Sequence, residues 1–125
     1  MANQPKDVTE AEFAVLNVLW AHGTNPVRGI VEAVYGKHNH SLHATVKSLL
    51  KRLADKGLVS RERWGGVHLF SAKVDRERLV AQQLQALADN NFGGSLTPLL
   101  STLVESVKLS RADREAIRRI IEKIE

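Results

Sequence analysis

The sequence predicts a mainly α-helical protein in which three helices and a β-hairpin are followed by a second, purely helical segment. Apolar residues recur at helical spacing over most of the 125 residues. Between residues 58 and 71 that spacing is replaced by two short runs rich in Val, Arg, Trp and Phe on either side of Gly65-Gly66, which is typical of a tight hairpin. We therefore predict two domains, spanning residues 1–74 and 75–125.

The composition is that of an ordinary globular protein and excludes several classes of site. Hydrophobic residues make up 43% of the chain and charged residues 26%, and there is no cysteine for a disulfide, a thiolate metal site or a cysteine nucleophile. No Gly-rich phosphate loop, paired metal-binding carboxylates or plausible Ser/His/Asp order is present, so the sequence does not predict an enzyme or a cofactor. Without an apolar run of membrane-spanning length or a secretory signal, we expect a cytoplasmic protein with no membrane insertion.

The first two helices are expected to begin and end at recognisable residues. Thr9 and Glu12 have the spacing of a capping box, and Gly23 stands where the first helix should end. Asn25 is the expected cap of a short second helix, with Pro26 in its first turn, where the missing N–H has no cost.

The third helix carries the residues that first indicate a function. Ser41 is its expected cap, Gly57 its expected end, and its leucines form one inward face. The opposite face combines small, polar and cationic side chains, which suits entry into the major groove of DNA. These residues are His43, Ala44, Thr45, Lys47, Ser48, Lys51 and Arg52. In the hairpin that follows, Arg61 and Arg63 alternate on one strand face, so both can reach the same phosphate backbone.

The excess positive charge lies in this same part of the chain. Of a formal net charge of +4, residues 37–63 contribute seven Lys or Arg against two acidic residues, whereas bases and acids are equal in number over residues 81–125. A concentrated cationic stretch favours binding to a polyanion, and with the helix and hairpin it predicts a double-stranded DNA partner. An alternative is a protein-interaction module whose basic face binds an acidic partner.

The second predicted domain consists of short helices with wide apolar stripes. Asp75, Thr97-Pro98 and Ser110 are the expected starts of three helices. The first domain has its own core, so a second copy of the chain is the simplest partner for these stripes, and we expect a homodimer. The residues predicted to form its interface are Leu84, Leu87, Phe92, Leu99, Leu100, Leu103, Val104, Ile117, Ile120 and Ile121.

The ordered set of segments in this chain resembles the penicillinase repressor family (BlaI/MecI-type transcriptional repressors) from Val8 onward. The segments are residues 9–20 (TEAEFAVLNVLW), 45–53 (TVKSLLKRL), 56–59 (KGLV), 92–95 (FGGS) and 103–110 (LVESVKLS). The resemblance implies a winged helix-turn-helix DNA-binding domain, here residues 1–74, and a helical dimerisation domain, here residues 75–125. It also implies a dimeric repressor on a palindromic operator, in a family that controls antibiotic resistance.

Two further expectations come from this resemblance. Matched by position, it assigns DNA reading to part of the third helix and to the side of the hairpin that carries Arg61 and Arg63; the helix residues are Ala44, Thr45, Lys47, Ser48 and Arg52. It also implies derepression by proteolytic cleavage in the dimerisation domain, downstream of a membrane-bound sensor metalloprotease. Thr102 and Leu103 stand nearest to the family's cleaved bond.

Histidines and aromatic residues complete the predicted sites. His38, His40 and His43 lie close together, so a metal- or ligand-responsive regulator is a second alternative. No carboxylate lies among them, which favours phosphate contact or solvent exposure instead. Trp20 is expected in the core. Trp64 either packs beneath the hairpin, which we favour, or lies exposed as a contact residue.

Overall fold

The computed structural model describes residues 7–106 and 108–124, and within these ranges the chain is mainly helical, as predicted. It divides into two compact units, Met1–Gln83 and Leu84–Glu125. The elements in order are α1 (Glu10–His22), β1 (Asn25–Pro26), α2 (Val27–Tyr35), α3 (His40–Asp55), β2 (Val59–Trp64), β3 (Val67–Ala72), α4 (Arg76–Asn91), α5 (Thr97–Ser106) and α6 (Arg111–Ile124).

Helix α1 begins and ends as the sequence predicts. The backbone N–H of Glu12 donates to Thr9 Oγ1 at 3.2 Å, and the Thr9 N–H donates to Glu12 Oε1 at 2.9 Å, which is a complete capping box. At the other end Gly23 has φ 80°, a conformation that side-chain-bearing residues rarely adopt.

The predicted starts of α2 and α3 are wrong. Asn25 and Pro26 form the short strand β1, and the Asn25 side chain donates to Gly23 O instead of capping α2. In α3 the cap is Asn39 and not Ser41, because Asn39 has extended backbone and its Oδ1 accepts from Leu42 N at 2.8 Å. The helix therefore begins at His40, one residue before Ser41.

The predicted hairpin is present and belongs to a small antiparallel sheet with strand order β1-β3-β2. Trp64 and Val67 are its last paired residues, and Gly65 between them has φ 60°, as the first position of a tight hairpin turn requires. Strand β1 is a third strand that the sequence did not predict, because two residues including a proline carry no strand pattern.

The first unit closes a hydrophobic core of its own. Helices α1, α2 and α3 pack on one another, and all three also contact the sheet. The start of α4 contributes Leu79 to this core, so the first compact unit extends past residue 74, and the predicted domain boundary there stays a prediction. The core residues are Val15, Leu16, Val18, Leu19, Ile30, Val31, Val46, Leu49, Leu50, Leu53, Val59, Phe70 and Leu79.

Trp20 packs against this core, as expected. Its indole Nε1 donates to Val74 O at 2.9 Å, and the Arg76 guanidinium lies 5.3 Å from the centre of its ring. These contacts fix the segment between β3 and α4 against α1.

A buried ion pair joins α1 to the end of α3. The Lys56 ammonium donates to both carboxylate oxygens of Glu12, at 2.7 and 3.0 Å, and the Glu12 side chain is fully buried. Burial acts to raise the pKa of Glu12, but the hydrogen bonds from Lys56 and Thr9 and the charges of Lys56 and Arg52 outweigh it, so the pKa lies below its ordinary value. The Glu12 carboxylate thus caps α1 and also holds the C-terminal end of α3 against it.

The second unit leaves most of its apolar side chains in solvent. Of its described residues, Ala88 alone is fully buried. The Asn91-Phe92-Gly93-Gly94 break ends α4, and Gly93 and Gly94 both have positive φ. No helix in the described part of the chain is long and apolar enough to cross a bilayer.

Candidate nucleic-acid interface

Helix α3 presents one buried and one exposed face. Its buried side is formed by Val46, Leu49, Leu50 and Leu53, which fix the helix in the core of the first unit. Because these residues recur every three or four positions, the opposite side is held in solvent. The exposed residues there are Ala44, Thr45, Lys47, Ser48, Lys51 and Arg52, as the sequence predicts.

The hairpin and α3 together enclose a groove of about 720 Å³. From α3 it is lined by Lys47, Ser48 and Lys51, and from the hairpin by Arg61 and His68. The structure therefore brings Lys47 and Lys51 of the helix and Arg61 of β2 to one groove.

The groove lining differs from the predicted set of residues, since His43, Ala44, Thr45 and Arg52 of α3 do not line it. Arg63 pairs with His68 across the hairpin and lies outside the groove lining, although it is exposed near the turn. His68 and Asp55 both line the groove and were not assigned to the site. The pairing of His68 with Arg63 across the Gly-Gly turn was the signal that could have identified it.

The polar side chains of this surface differ in whether they have hydrogen-bond or ion-pair partners within the protein. Thr45 Oγ1 donates to Ser41 O at 3.1 Å, and Lys51 Nζ lies 3.5 Å from an Asp55 carboxylate oxygen. Lys47 and Ser48 have no hydrogen-bond or ion-pair partner among the described residues, so their donors are available to a ligand.

His43 differs from its neighbours because it is half-buried and paired. Its Nδ1 lies 2.8 Å from His38 Nε2, with the two rings edge to face. Partial burial first, and then the nearby charges of His38 and Lys47, lower the pKa of His43. His38 and His43 form a hydrogen-bonded pair, and no group of three or more side chains suited to hold a metal occurs in the described ranges.

Trp64 does not pack beneath the hairpin, which corrects the prediction. Its side chain is 68% exposed, and its cross-strand partner Val67 is 51% exposed. The core contacts of the two strands end at Val59 and Phe70, several residues before the turn, so nothing in the described chain covers the tip.

In the second unit, most of the ten predicted interface residues are exposed. Phe92, Leu99 and Ile117 are half-buried. Leu109, Ile117 and Ile121 line a pocket of about 260 Å³ together with Arg114 and other residues. The exposed members of the predicted interface are Leu84, Leu87, Leu100, Leu103, Val104, Ile120 and Ile121.

The predicted cleavage pair lies inside helix α5. Thr102 and Leu103 are both exposed, and the Thr102 hydroxyl donates to Pro98 O at 2.9 Å. The peptide bond between them therefore lies within a helix, between two exposed residues.

Three helices, a cationic exposed face on the third and a hairpin beside it define a winged helix-turn-helix domain, the architecture of DNA-binding regulators. The sequence pattern of the penicillinase repressor family matches residues 8–123. The chain therefore belongs to the penicillinase repressor family, whose members are DNA-binding transcriptional repressors and not enzymes.

Individual relatives agree with this assignment over almost the full chain. The chain is 21% identical to the penicillinase repressor of Staphylococcus aureus, covering 99% of this chain and 98% of that protein. It is 23% identical to the methicillin resistance regulatory protein MecI of Mammaliicoccus sciuri, over 98% and 99% respectively. Among solved structures, Bordetella bronchiseptica BpsR, whose DNA binding is regulated by 6-hydroxynicotinic acid, is similar in fold with a TM-score of 0.51. That comparison has 21% identity and covers 99% of this chain and 83% of BpsR.

Proposed function

We propose that this repressor acts in the cytoplasm as a homodimer on a palindromic DNA operator. Each α3 enters a major groove, and the two-fold axis places the two helices one turn of the duplex apart, about 34 Å. The observation that carries the proposal is the groove between α3 and the hairpin, where Lys47, Lys51 and Arg61 form one cationic surface. Control of antibiotic resistance follows from the names of the relatives.

The DNA contact proposed for each α3 residue depends on whether its side chain already has a hydrogen-bond partner in the protein. Lys47 donates to guanine O6 or N7, and Ser48 to a base edge or phosphate, because neither has a partner within the described chain. Thr45 already donates to Ser41, so its oxygen accepts from an adenine or cytosine amino group. The methyl group of Ala44 contacts thymine.

The remaining basic residues contact phosphates, so they contribute to DNA affinity and not to sequence specificity. Arg52, Arg61 and Arg63 are exposed and lie beside the reading face or on the hairpin, where the phosphate backbone passes. Lys51 and half-buried His43 lie on α3 itself and contact the nearest phosphates. Each neutralised phosphate releases a counterion, so the affinity falls steeply as salt is added.

A competition titration tests the division between reading and phosphate contact. Lys47→Ala is expected to lower the ratio of operator to random-DNA affinity by about tenfold, since one good base contact contributes roughly 1–3 kcal/mol of discrimination. Arg61→Ala is expected to weaken both affinities equally. Lys123→Ala, which removes the same charge from the second unit, serves as the matched control and leaves both unchanged. Equal loss of both affinities in Lys47→Ala would assign Lys47 to phosphate.

The second unit supplies the dimer interface in this proposal. Seven of its Leu, Val and Ile side chains in the predicted interface are exposed, and apolar side chains exposed in such numbers are typical of a protein interface. Leu103→Asp or Ile120→Asp would bury an unpaired charge and convert the dimer to monomer in sedimentation velocity. Glu105→Asp, an exposed conservative change on α5, is the control and leaves the mass unchanged. A wild-type chain that sediments as a monomer at micromolar concentration would refute the dimer.

Derepression by cleavage between Thr102 and Leu103 is supported by the exposure of both residues on α5. Because the bond is helical, α5 must open locally before a protease can bind it. Cutting there removes part of the interface and leaves two weak half-site binders in place of one bivalent binder. Co-expression with a membrane-bound sensor metalloprotease, followed by intact-mass analysis, tests this. A single cut at that bond supports the mechanism, and an uncut chain contradicts it.

A further inference from the structure

The second unit contains a small pocket that the proposed DNA contacts do not use. Its volume is about 260 Å³, and its lining comes from α5, from the segment that follows α5 and from α6. The apolar lining residues are Val104, Leu109, Ile117 and Ile121. Val104 and Ile121 are about half exposed, at 50% and 48%, so the described chain does not cover this apolar wall completely.

The other side of the pocket is polar and mainly basic. Arg114, Arg118 and Glu122 follow one another at intervals of four residues, so all three lie on the same face of α6. The Arg114 side chain has no hydrogen-bond or ion-pair partner among the described residues. Arg118 lies 3.9 Å from a Glu115 carboxylate oxygen, and both side chains are largely exposed, so this pair holds Arg118 only weakly. The pocket therefore places guanidinium groups beside an apolar wall.

We propose that this pocket is an effector site for a small amphipathic monocarboxylate whose binding separates the dimer. A guanidinium presents two parallel N–H donors that match a carboxylate, and Arg114 is the group free to do so. The apolar body of the ligand then lies against Ile117 and Ile121. Glu122 on the same side disfavours a second negative charge on the ligand. The volume is below that of most drug-sized sites, which suits one or two rings or a short aliphatic chain.

The link to dimerisation follows from shared residues, so this inference rests on the proposed function. Val104, Ile117 and Ile121 line the pocket and also belong to the proposed dimer interface. A ligand that covers them competes with the partner copy and binds the monomer in preference to the dimer. At a free ligand concentration about ten times its Kd, each monomer is stabilised by a factor of about eleven, so the apparent dimer dissociation constant should rise about a hundredfold.

Binding of 1-naphthoate to the full-length protein tests the site, with the uncharged 1-naphthalenemethanol as the matched ligand. We expect naphthoate to bind with a Kd below about 1 mM in calorimetry, as its size allows, and the alcohol to bind at least about tenfold more weakly. Arg114→Gln should remove this preference, and because Arg114 is exposed the change does not threaten the fold. Arg119→Gln removes the same charge from α6 outside the pocket lining and should leave the preference unchanged.

Sedimentation velocity tests the link between the pocket and the dimer. Naphthoate should convert the wild-type dimer to monomer at micromolar chain concentration, whereas Arg114→Gln should stay dimeric at the same naphthoate concentration. Operator affinity in fluorescence anisotropy should fall in parallel, because separated monomers bind half-sites weakly. By reciprocity, the apparent affinity for naphthoate should decrease as the protein concentration rises.

The outcomes distinguish failure of this inference from failure of the proposed function. Equal binding of the two ligands, an unchanged preference in Arg114→Gln, or an unchanged dimer mass at saturating naphthoate would each overturn the inference and leave the repressor function standing. A dimeric chain that binds neither ligand would assign the pocket to the partner copy alone, which also overturns it. A chain that is monomeric without any ligand would refute the proposed dimer and, with it, the effector mechanism.

Discussion

The two units of this chain use similar apolar patterns for different ends. In the first, the stripes of α1, α2 and α3 meet each other and the sheet, so residues such as Leu16, Leu50 and Leu53 are fully buried. In the second, leucines and isoleucines at the same helical spacing stay in solvent; Ile120, for instance, is 60% exposed. The comparison teaches that helical spacing identifies an apolar face but not whether the same chain covers it.

The largest expected difference between the units is in the cost of truncating a leucine. Leu50→Ala should lower the free energy of unfolding by about 3 kcal/mol, because a fully buried side chain leaves a cavity. The matched change Leu100→Ala, at a side chain 45% exposed, should alter the unfolding reported by Trp20 fluorescence by less than about 0.5 kcal/mol. It should shift the monomer–dimer equilibrium instead. If denaturant titrations gave the same loss of unfolding free energy for both variants, Leu100 would be buried within its own chain, as Leu50 is, and the comparison would fail.

A smaller effect is expected at the ion pair that belongs to the first unit alone. Lys56→Ala leaves the buried Glu12 carboxylate without its cation and should cost about 2 kcal/mol, below the roughly 3–5 kcal/mol of a fully buried pair because Lys56 is partly exposed. Lys51→Ala, which breaks a fully exposed pair with Asp55, is the control and should cost almost nothing. Thermal or denaturant unfolding measures both, and indistinguishable losses would refute a stabilising role for the buried pair.

The same pair predicts how stability depends on acid. The pKa of Glu12 is lower in the folded protein than in the unfolded chain, so its contribution is complete above the ordinary carboxyl pKa. It is lost as the pH falls through the depressed folded-state pKa. Glu12→Gln should therefore flatten the loss of stability in that acidic range, as measured by denaturant titration at a series of pH values. An identical acid profile in wild type and variant would contradict the assignment.

The smallest predicted effect concerns DNA binding and pH. In the free protein, burial and then His38, Lys47, His40 and Arg28 lower the pKa of His43, so the neutral form prevails near neutral pH. A phosphate brought close by DNA raises that pKa, and binding then takes up a proton. Affinity should rise a few-fold as the pH falls between the two pKa values. His43→Gln should remove this dependence in fluorescence anisotropy, whereas His22→Gln should not; an unchanged profile would exclude His43.

Sequence patterns predicted the fold of the first unit well because they reflect local chemistry. The capping box at Thr9, the αL glycine at Gly57 and the inward leucines of α3 all depend on residues close in the chain. The cap at Asn39 was missed because Asn and Ser compete within two residues and only backbone geometry decides between them. Strand β1 was missed because its pairing partner, Phe70, is distant in sequence.

In the candidate site, too, local patterns predicted some of the residues, whereas tertiary packing determines the others. The exposed face of α3 follows from periodicity, so its residues could be predicted from the sequence alone. Tertiary structure decides the groove, because His68 and Asp55 join it only when the hairpin packs beside α3. The position of Trp64 likewise depends on where the core ends beneath the hairpin, which no local pattern records.

Protection of guanine N7 from methylation tests the central claim most directly. Duplexes selected by the full-length protein from a random library would be footprinted with wild type and with Lys47→Ala. The account predicts two protected major-groove patches, one helical turn apart, with the protection beside α3 lost in the variant. No enriched duplex, or one in which Lys47→Ala leaves the pattern unchanged, would contradict the claim that α3 reads DNA.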